Sequence, residues 1–275
     1  MRRIIALLTI PIMLGGGAIL WGLAGARADP VVRRATIVLP DWPAEAPAAH
    51  VVLISDIHIG TIAMGAGRLT RIVGQVNALK PDLVLIAGDF IYGHERDGAA
   101  RFGDAMIAPL AMLRARLGVV AVLGNHDHWT GSATVRNQLA RANVTVLDNQ
   151  AIVRGPMVIG GIGDEFTGRA DIPATVAATR GLVGARVLLS HSPDLASRLP
   201  PAFPLLLAGH THCGQVRVFG RSPGTQPYIQ RYRCGLIREA GRAVVVTAGL
   251  GTSAVPVRIG APPDLWLLTL RGPTS

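Results

Sequence analysis

The chain is short of the residues that mark several common chemistries. Two cysteines, Cys213 and Cys234, stand among 275 residues. They are too few for a disulfide framework, and no C-x-x-C spacing offers a zinc site. Lys80 is the only lysine, so the formal charge of +10 rests almost wholly on arginine. Basic surfaces attract phosphates, yet basic runs interleaved with aromatics, the mark of a nucleic-acid surface, are missing. Only Arg231-Tyr232-Arg233 resembles one, and it reads as a solvated loop, so no nucleic-acid partner is expected. Ser190 lacks a G-x-S-x-G elbow, Gly161-Ile162-Gly163 lacks the third glycine of a dinucleotide loop, and there is no internal repeat.

Charge is absent again over residues 4–26, between Arg2-Arg3 and Arg27. A bilayer needs about 20 apolar residues, so this run is expected to be an N-terminal transmembrane helix, a single-pass anchor in the inner membrane. Arginines on both flanks leave the side of the membrane open. The rival is a signal peptide cleaved at Ala26-Arg27-Ala28, but the run exceeds the roughly 7–15 apolar residues usual for signals. The chain therefore divides into 1–28 (anchor or signal peptide), 29–49 (a strand near 36–39 and a Pro/Ala-rich connector) and 50–275 (the main domain).

In that domain, compact apolar runs at 51–54, 83–87 and 119–123 alternate with helical patterns. One carries Leu69, Ile72, Val73, Val76 and Leu79 and stops at Lys80-Pro81; a second lies around 104–117. Such alternation predicts parallel crossovers. Residues 144–147, 151–153 and 157–160 read as a meander and 171–180 as a helix, with strands at 186–189 and 205–208. Segments 215–218, 243–247 and 265–270 are expected to close a second sheet with antiparallel strands.

Nearly every good metal ligand lies just after one of these runs: Asp56-Ile57-His58, Gly88-Asp89, Gly124-Asn125-His126-Asp127, His191 and Gly209-His210-Thr211-His212. Ligands of open α/β sheets gather beyond the carboxyl ends of the strands. Alternation along a strand would send Asp56 and His58 to one side, and likewise His210 and His212. Carboxylate, imidazole and amide donors without thiolate suit manganese, iron or zinc. Two such cations ~3.5–4 Å apart can clamp an in-line displacement at phosphorus. Asp89 is placed to bridge them, His126 is left free for the leaving group, and Asp127 is expected to orient it. Glycines 88, 124 and 209 are read as tight turns.

The ordered set D-x-H, G-D, G-N-H-D, H, G-H-x-H resembles the calcineurin-like metallophosphoesterase superfamily, and is most similar to its membrane-attached bacterial YkuE/YaeI-like branch. Ser55 to His58, Lys80 to Val84, Gly209 to Gln215 and Gly249 to Ser253 carry that likeness, with Cys213 departing from the branch's usual glycine. The resemblance implies an α/β four-layer αββα sandwich, two mixed β-sheets flanked by helices. It also implies two divalent metal ions, manganese first, with Asp56, His58, Asp89 and His212 on one and Asp89, Asn125, His191 and His210 on the other. His126 and Asp127 would be catalytic. The implied activity is hydrolysis of a phosphodiester or pyrophosphate, with a lipid-linked substrate such as UDP-2,3-diacylglucosamine leading. A secreted soluble phosphodiesterase and an inactive metal-binding scaffold are the alternatives. Asp164, Glu165 and Arg169, on a glycine-flanked loop, either touch substrate or, the preferred reading, are solvated, and Cys213 reads as a buried spectator or a neighbour of the metals. His94 and Glu95 either line the cleft or are exposed, and His128 and Trp129 pack beside the Asn125 island.

Overall fold

The computed structural model describes residues 2–219, 222 and 231–273, the side chains of 2–12 excepted. The strands are β1 (Val31–Val38), β2 (Ala49–Ile54), β3 (Leu83–Ala87), β4 (Val119–Val122), β5 (Val144–Val146), β6 (Gln150–Arg154), β7 (Met157–Gly161), β8 (Ala185–Leu189), β9 (Leu205–Ala208), β10 (Gly235–Glu239), β11 (Arg242–Val246) and β12 (Asp264–Arg271). The helices are α1 (Arg2–Arg27), α2 (Ala66–Ala78), α3 (Gly98–Phe102), α4 (Asp104–Ala111), α5 (Asn125–Arg141) and α6 (Ile172–Ala178). One sheet runs β1-β12-β2-β3-β4-β5, the other β10-β11-β9-β8-β7-β6.

Alternation builds the layers. On β2 to β4, Val51, Leu53, Leu83, Leu85, Val120 and Val122 face a core shared with Val187, Leu189, Leu205, Leu207 and Val245 of the second sheet. The intervening Val52, Ile54, Val84, Ile86 and Ala121 pack on α2, α4 and α5 through Leu69, Val73, Leu110 and Leu139. Leu188, Leu206 and Val244 meet Leu195 and Phe203 on the outer face of the second sheet, with Ile172 and Val176 of α6 against them. Residues two apart on a strand share a face, so each fully buried strand serves two cores at once.

Three sequence expectations change. The segment at 265–270 is β12 of the first sheet, parallel to β1 and antiparallel to β2. Residues 144–146 pair in parallel with β4, so the meander reduces to β6 and β7. The segment at 215–218 holds only an isolated bridge, Val216 to Ile259, and β11 runs parallel to β9.

Helix α1 contains the uncharged run, but among the described residues no helix is long and apolar enough to cross a membrane. Its C-terminal end rests on the domain. Arg258 N–H donates to the Gly22 carbonyl, and Arg27 Nε to that of Ile62. Buried Arg68 donates to the carbonyls of Ala28 and Leu250.

Candidate metal centre

Five strands, β2, β3 and β4 of one sheet and β8 and β9 of the other, end at this site; β2, β3 and β4 pair in parallel, as do β8 and β9. The loops that follow are laced together across the sheets. Asp56 N–H donates to the Gly88 carbonyl, His58 N–H to Asp89, and Gly209 N–H to His191. The His210 amide donates to Asp56 Oδ2.

Asp56 and His58 do come together, yet not through pleat alternation. Strand β2 stops at Ile54, and both residues lie beyond it with φ of 52° and 50°. Asp89, His210 and His212 are left-handed too, at 57°, 71° and 50°. A non-glycine residue held there costs of order 1–3 kcal/mol and persists only when its surroundings over-determine it. Of the three glycines, Gly88 alone has positive φ, 83°. A Cβ at Gly209 would instead collide with the Ser55 and Asp56 side chains, so close packing selects that glycine.

Two groups of donors share one carboxylate. Asp56 Oδ1 lies 3.3 Å from His212 Nε2 and 3.9 Å from His58 Nε2, while the two imidazole nitrogens face each other at 3.2 Å. In the second group His191 Nε2 stands 3.1 Å from Asn125 Oδ1 and 3.1 Å from His210 Nδ1. Asp89 Oδ2 joins them, 3.6 Å from His58 Nε2 and 3.2 Å from His191 Nε2. Ligands ~2.1 Å from one cation stand roughly 3.0–3.4 Å from one another at ordinary angles. Most of these spacings fit that value. Asp56 Oδ1 is buried with no hydrogen-bond partner among the described residues, which is the state expected of an oxygen reserved for a metal.

The electrostatics agree. Burial holds the imidazoles of His58 and His210 down to about 3 and about 4, and His212 well below its usual range, so all three are neutral donors near pH 7. Arg258 is buried among the carbonyls of Ala248, Gly251 and Ala261, with its Nη2 3.2 Å from His212 Nδ1; it opposes protonation of that ring. Burial pushes the Asp56 carboxyl up to about 6, a shift a cation would reverse. His191 differs: burial would lower it, but the adjacent Asp89 carboxylate overrides that and holds it up at about 10. Without metal it is an imidazolium at neutral pH, and it must lose its proton to become a ligand. Metal loading near neutrality should therefore release about one proton from His191, and affinity should rise about tenfold per pH unit until the ring titrates. Titration calorimetry in buffers of different ionisation enthalpy measures this. Affinity flat with pH would refute the assignment.

Asp127 does not orient His126. Its carboxylate accepts four backbone amides, those of Asp89, Phe90, Ile91 and Gly124, and so staples the loop after β3 to the start of α5. His126 Nδ1 instead lies 2.7 Å from the Gly93 carbonyl, which fixes a proton there and leaves Nε2 available. The His126 amide donates to Asp89 Oδ1. Beside it, His94 stacks on Trp129 at 4.6 Å, and both line a cavity of about 680 Å³ with Arg96 and His128. Phe166, exposed, stands over His210 and Trp129. Asp164, expected in solvent, is fully buried and holds Thr167.

Cys213 is not a spectator: it is bonded to Cys234, 21 residues away. The bridge ties the His210 to His212 loop to the chain before β10, where Thr211 Oγ1 also donates to the Arg233 carbonyl. Closing a loop of this length contributes about 3 kcal/mol. Reduction with a dithiol should lower the melting temperature by about 5–10 °C, as should Cys213→Ser with Cys234→Ser. An unshifted melting curve would count against the bridge.

The calcineurin-like phosphoesterase family matches residues 49–214, from β2 through His212. A zebrafish transmembrane protein with metallophosphoesterase domain is 30% identical over 274 residues, covering 91% of this chain and 60% of that protein. The uncharacterized metallophosphoesterase YkuE of Bacillus subtilis is 29% identical over 230 residues, 80% of this chain and 78% of its own. The chain spans 43–60% of the length of the animal relatives it matches. Among solved structures, a zebrafish dimetal phosphatase aligns over 74% of this chain and 88% of its own with a TM-score of 0.45 and 15% identity. The matched span contains every residue of the two-group cluster, and on that ground the chain belongs to the calcineurin-like phosphoesterase family.

Proposed function

We propose that the chain is a dinuclear metal-dependent phosphoesterase cleaving a phosphodiester or pyrophosphate. The observation that carries this is Asp89 Oδ2 standing between two imidazole groups, at 3.6 and 3.2 Å. Asp56, His58, Asp89 and His212 would hold one cation, and Asp89, Asn125, His191 and His210 the other. Manganese is the ion to load first, since these donors suit it as well as iron or zinc. When bound, the pair supplies Lewis acidity and a nucleophile at neutral pH. His126 presents Nε2 to the leaving group. Arg96, Trp129 and His94 line the adjoining cavity, where that group would lie.

A membrane anchor and a lipid-linked substrate extend this reading. Supporting them are the uncharged run in α1, the exposed Leu14, Ile19, Leu20 and Trp21 on that helix, and the name of the zebrafish relative. The end of α1 docks on the segment holding Arg258 and on the loop after His58, where Ile62 and Val255 are exposed. An anchor there would hold the metal cleft near the bilayer and raise the effective concentration of a lipid diphosphate such as UDP-2,3-diacylglucosamine. The disulfide favours a second reading, because such bonds persist in oxidising compartments: the domain faces outward, and its substrate is an envelope phosphodiester. Incubating the manganese-loaded protein with UDP-2,3-diacylglucosamine, a glycerophosphodiester and bis(p-nitrophenyl) phosphate, with products followed by mass spectrometry, tests both. Turnover of none of them sinks the hydrolase reading. Turnover of the glycerophosphodiester but not the nucleotide lipid selects the second.

A further inference from the structure

The segment 257–259 does two things at once. On one side it seats α1. The Arg258 N–H donates to the Gly22 carbonyl, and the two backbones leave no room for a side chain between them. A Cβ on Gly22 would stand 2.9 Å from Val257 Cβ, and one on Gly25 2.6 Å from the Arg258 carbonyl oxygen. On the other side the Arg258 guanidinium, only 3% exposed, reaches the turn 248–251 and the metal cluster. Its Nη2 donates to the Ala248 and Gly251 carbonyls at 2.6 and 2.7 Å and faces His212 Nδ1 at 3.2 Å, while Nε donates to Gly251 at 2.9 Å.

Burying a charge is costly unless its hydrogen bonds are met. A residue that only filled this space would be apolar. What Arg258 holds decides what it does. The turn it grips carries Asp56: the Leu250 amide donates to the Ser55 carbonyl and the Gly251 amide to that of Asp56, and a Cβ on Gly249 would stand 2.5 Å from Asp56 Cβ. One guanidinium therefore braces the His212 ring and the backbone beneath Asp56, two ligands assigned to the same cation. Asn125, His191 and His210, assigned to the other, are not among its hydrogen-bond partners in the described residues. Buried Arg68 ties the same turn to the end of α1, donating to the Leu250 and Ala28 carbonyls.

We propose that Arg258 is a positioning residue for one cation only, the one assigned to Asp56, His58, Asp89 and His212, and that the seating of α1 on Gly22 and Gly25 reaches that cation through it. The inference rests on the two-cation reading of the cluster. Groups that orient metal ligands typically contribute about 10–100-fold in metal affinity. The effect should fall on one ion and spare the other, which loss of the fold would not do.

Manganese titration of the full chain in detergent, followed by calorimetry and electron paramagnetic resonance, tests this without reference to turnover. Arg258→Met should weaken one ion by about 10–100-fold and leave the affinity of the other unchanged. The spectrum of two coupled ions should give way to that of a single ion, matching His58→Ala and not His210→Ala. Arg258→Lys, which keeps the charge but not the planar fork, should recover part of the loss. Gly25→Leu alters no residue that touches the cluster, and by unseating α1 it should weaken the same ion by about fivefold or more. If Arg258→Met does not fold, Gly25→Leu decides alone. Affinity unchanged in either variant, or both ions weakened equally, overturns the inference whatever the loaded enzyme hydrolyses. A wild-type chain that binds two ions and hydrolyses nothing sinks the hydrolase reading alone, and one that binds fewer than two sinks both.

Discussion

Replacing Asp89 with alanine should lower manganese-dependent hydrolysis of bis(p-nitrophenyl) phosphate on the order of 10³-fold. The Lewis-acid contribution of a catalytic metal is several kcal/mol, and each ~1.4 kcal/mol is a factor of ten in rate. Asp89 Oδ2 stands between His58 of one donor group and His191 of the other, which on the proposed assignment makes it the shared carboxylate, and its Oδ1 also accepts the His126 amide. Removing it takes a ligand from each cation and the counter-charge from the His191 imidazolium. Bound metal, counted by mass spectrometry of the desalted protein, should fall from two ions per chain to one or none. Asp89→Asn keeps the shape and one oxygen but not the charge, and should retain little more activity than the alanine variant. Full turnover with two ions retained in Asp89→Ala would refute the shared-carboxylate site.

That site was readable in the sequence because its ligands follow strands that are apolar on both faces. Val51 to Ile54 and Leu83 to Ala87 serve two cores each, so the first polar residue after each run marks the sheet edge. What failed was local geometry. Period-two reasoning cannot apply to Asp56 and His58 once β2 has ended, and their positive φ values come from the loops packed around them. A carboxylate commonly fixes an imidazole tautomer, which suggests Asp127 as the partner of His126, yet successive residues on a helix project about 100° apart; both lie in the first turn of α5 and point to different partners. Helix α5 itself has a weak apolar pattern, with a first turn made of site residues and Gly131 at φ 119°. The place of β12 and the pairing of Cys213 with Cys234 depend on contacts between segments 21 or more residues apart, which one sequence does not display.

His126→Asn should separate two roles that geometry alone allows. The ring groups with His58 and Asp89 as a possible donor set, but its Nδ1–H is committed to the Gly93 carbonyl and the ring is wedged among His58, His94 and Trp129 at centroid distances of 4.8–4.9 Å. Burial lowers its pKa, against the pull of Asp89. The imidazolium able to donate from Nε2 is therefore a minor form at neutral pH and gains population as pH falls. A general acid contributes about 10²–10⁴-fold, and most where the leaving group is a poor one. With an alkyl phosphodiester the asparagine variant should lose about that factor in kcat and lose the rise in rate toward acid. With bis(p-nitrophenyl) phosphate, whose leaving group needs no proton, the loss should stay within about tenfold, because the remaining metal and binding contributions persist. Both ions should remain bound. An equal collapse on the two substrates, accompanied by loss of metal, would instead make His126 a ligand and leave the leaving group to be protonated by solvent.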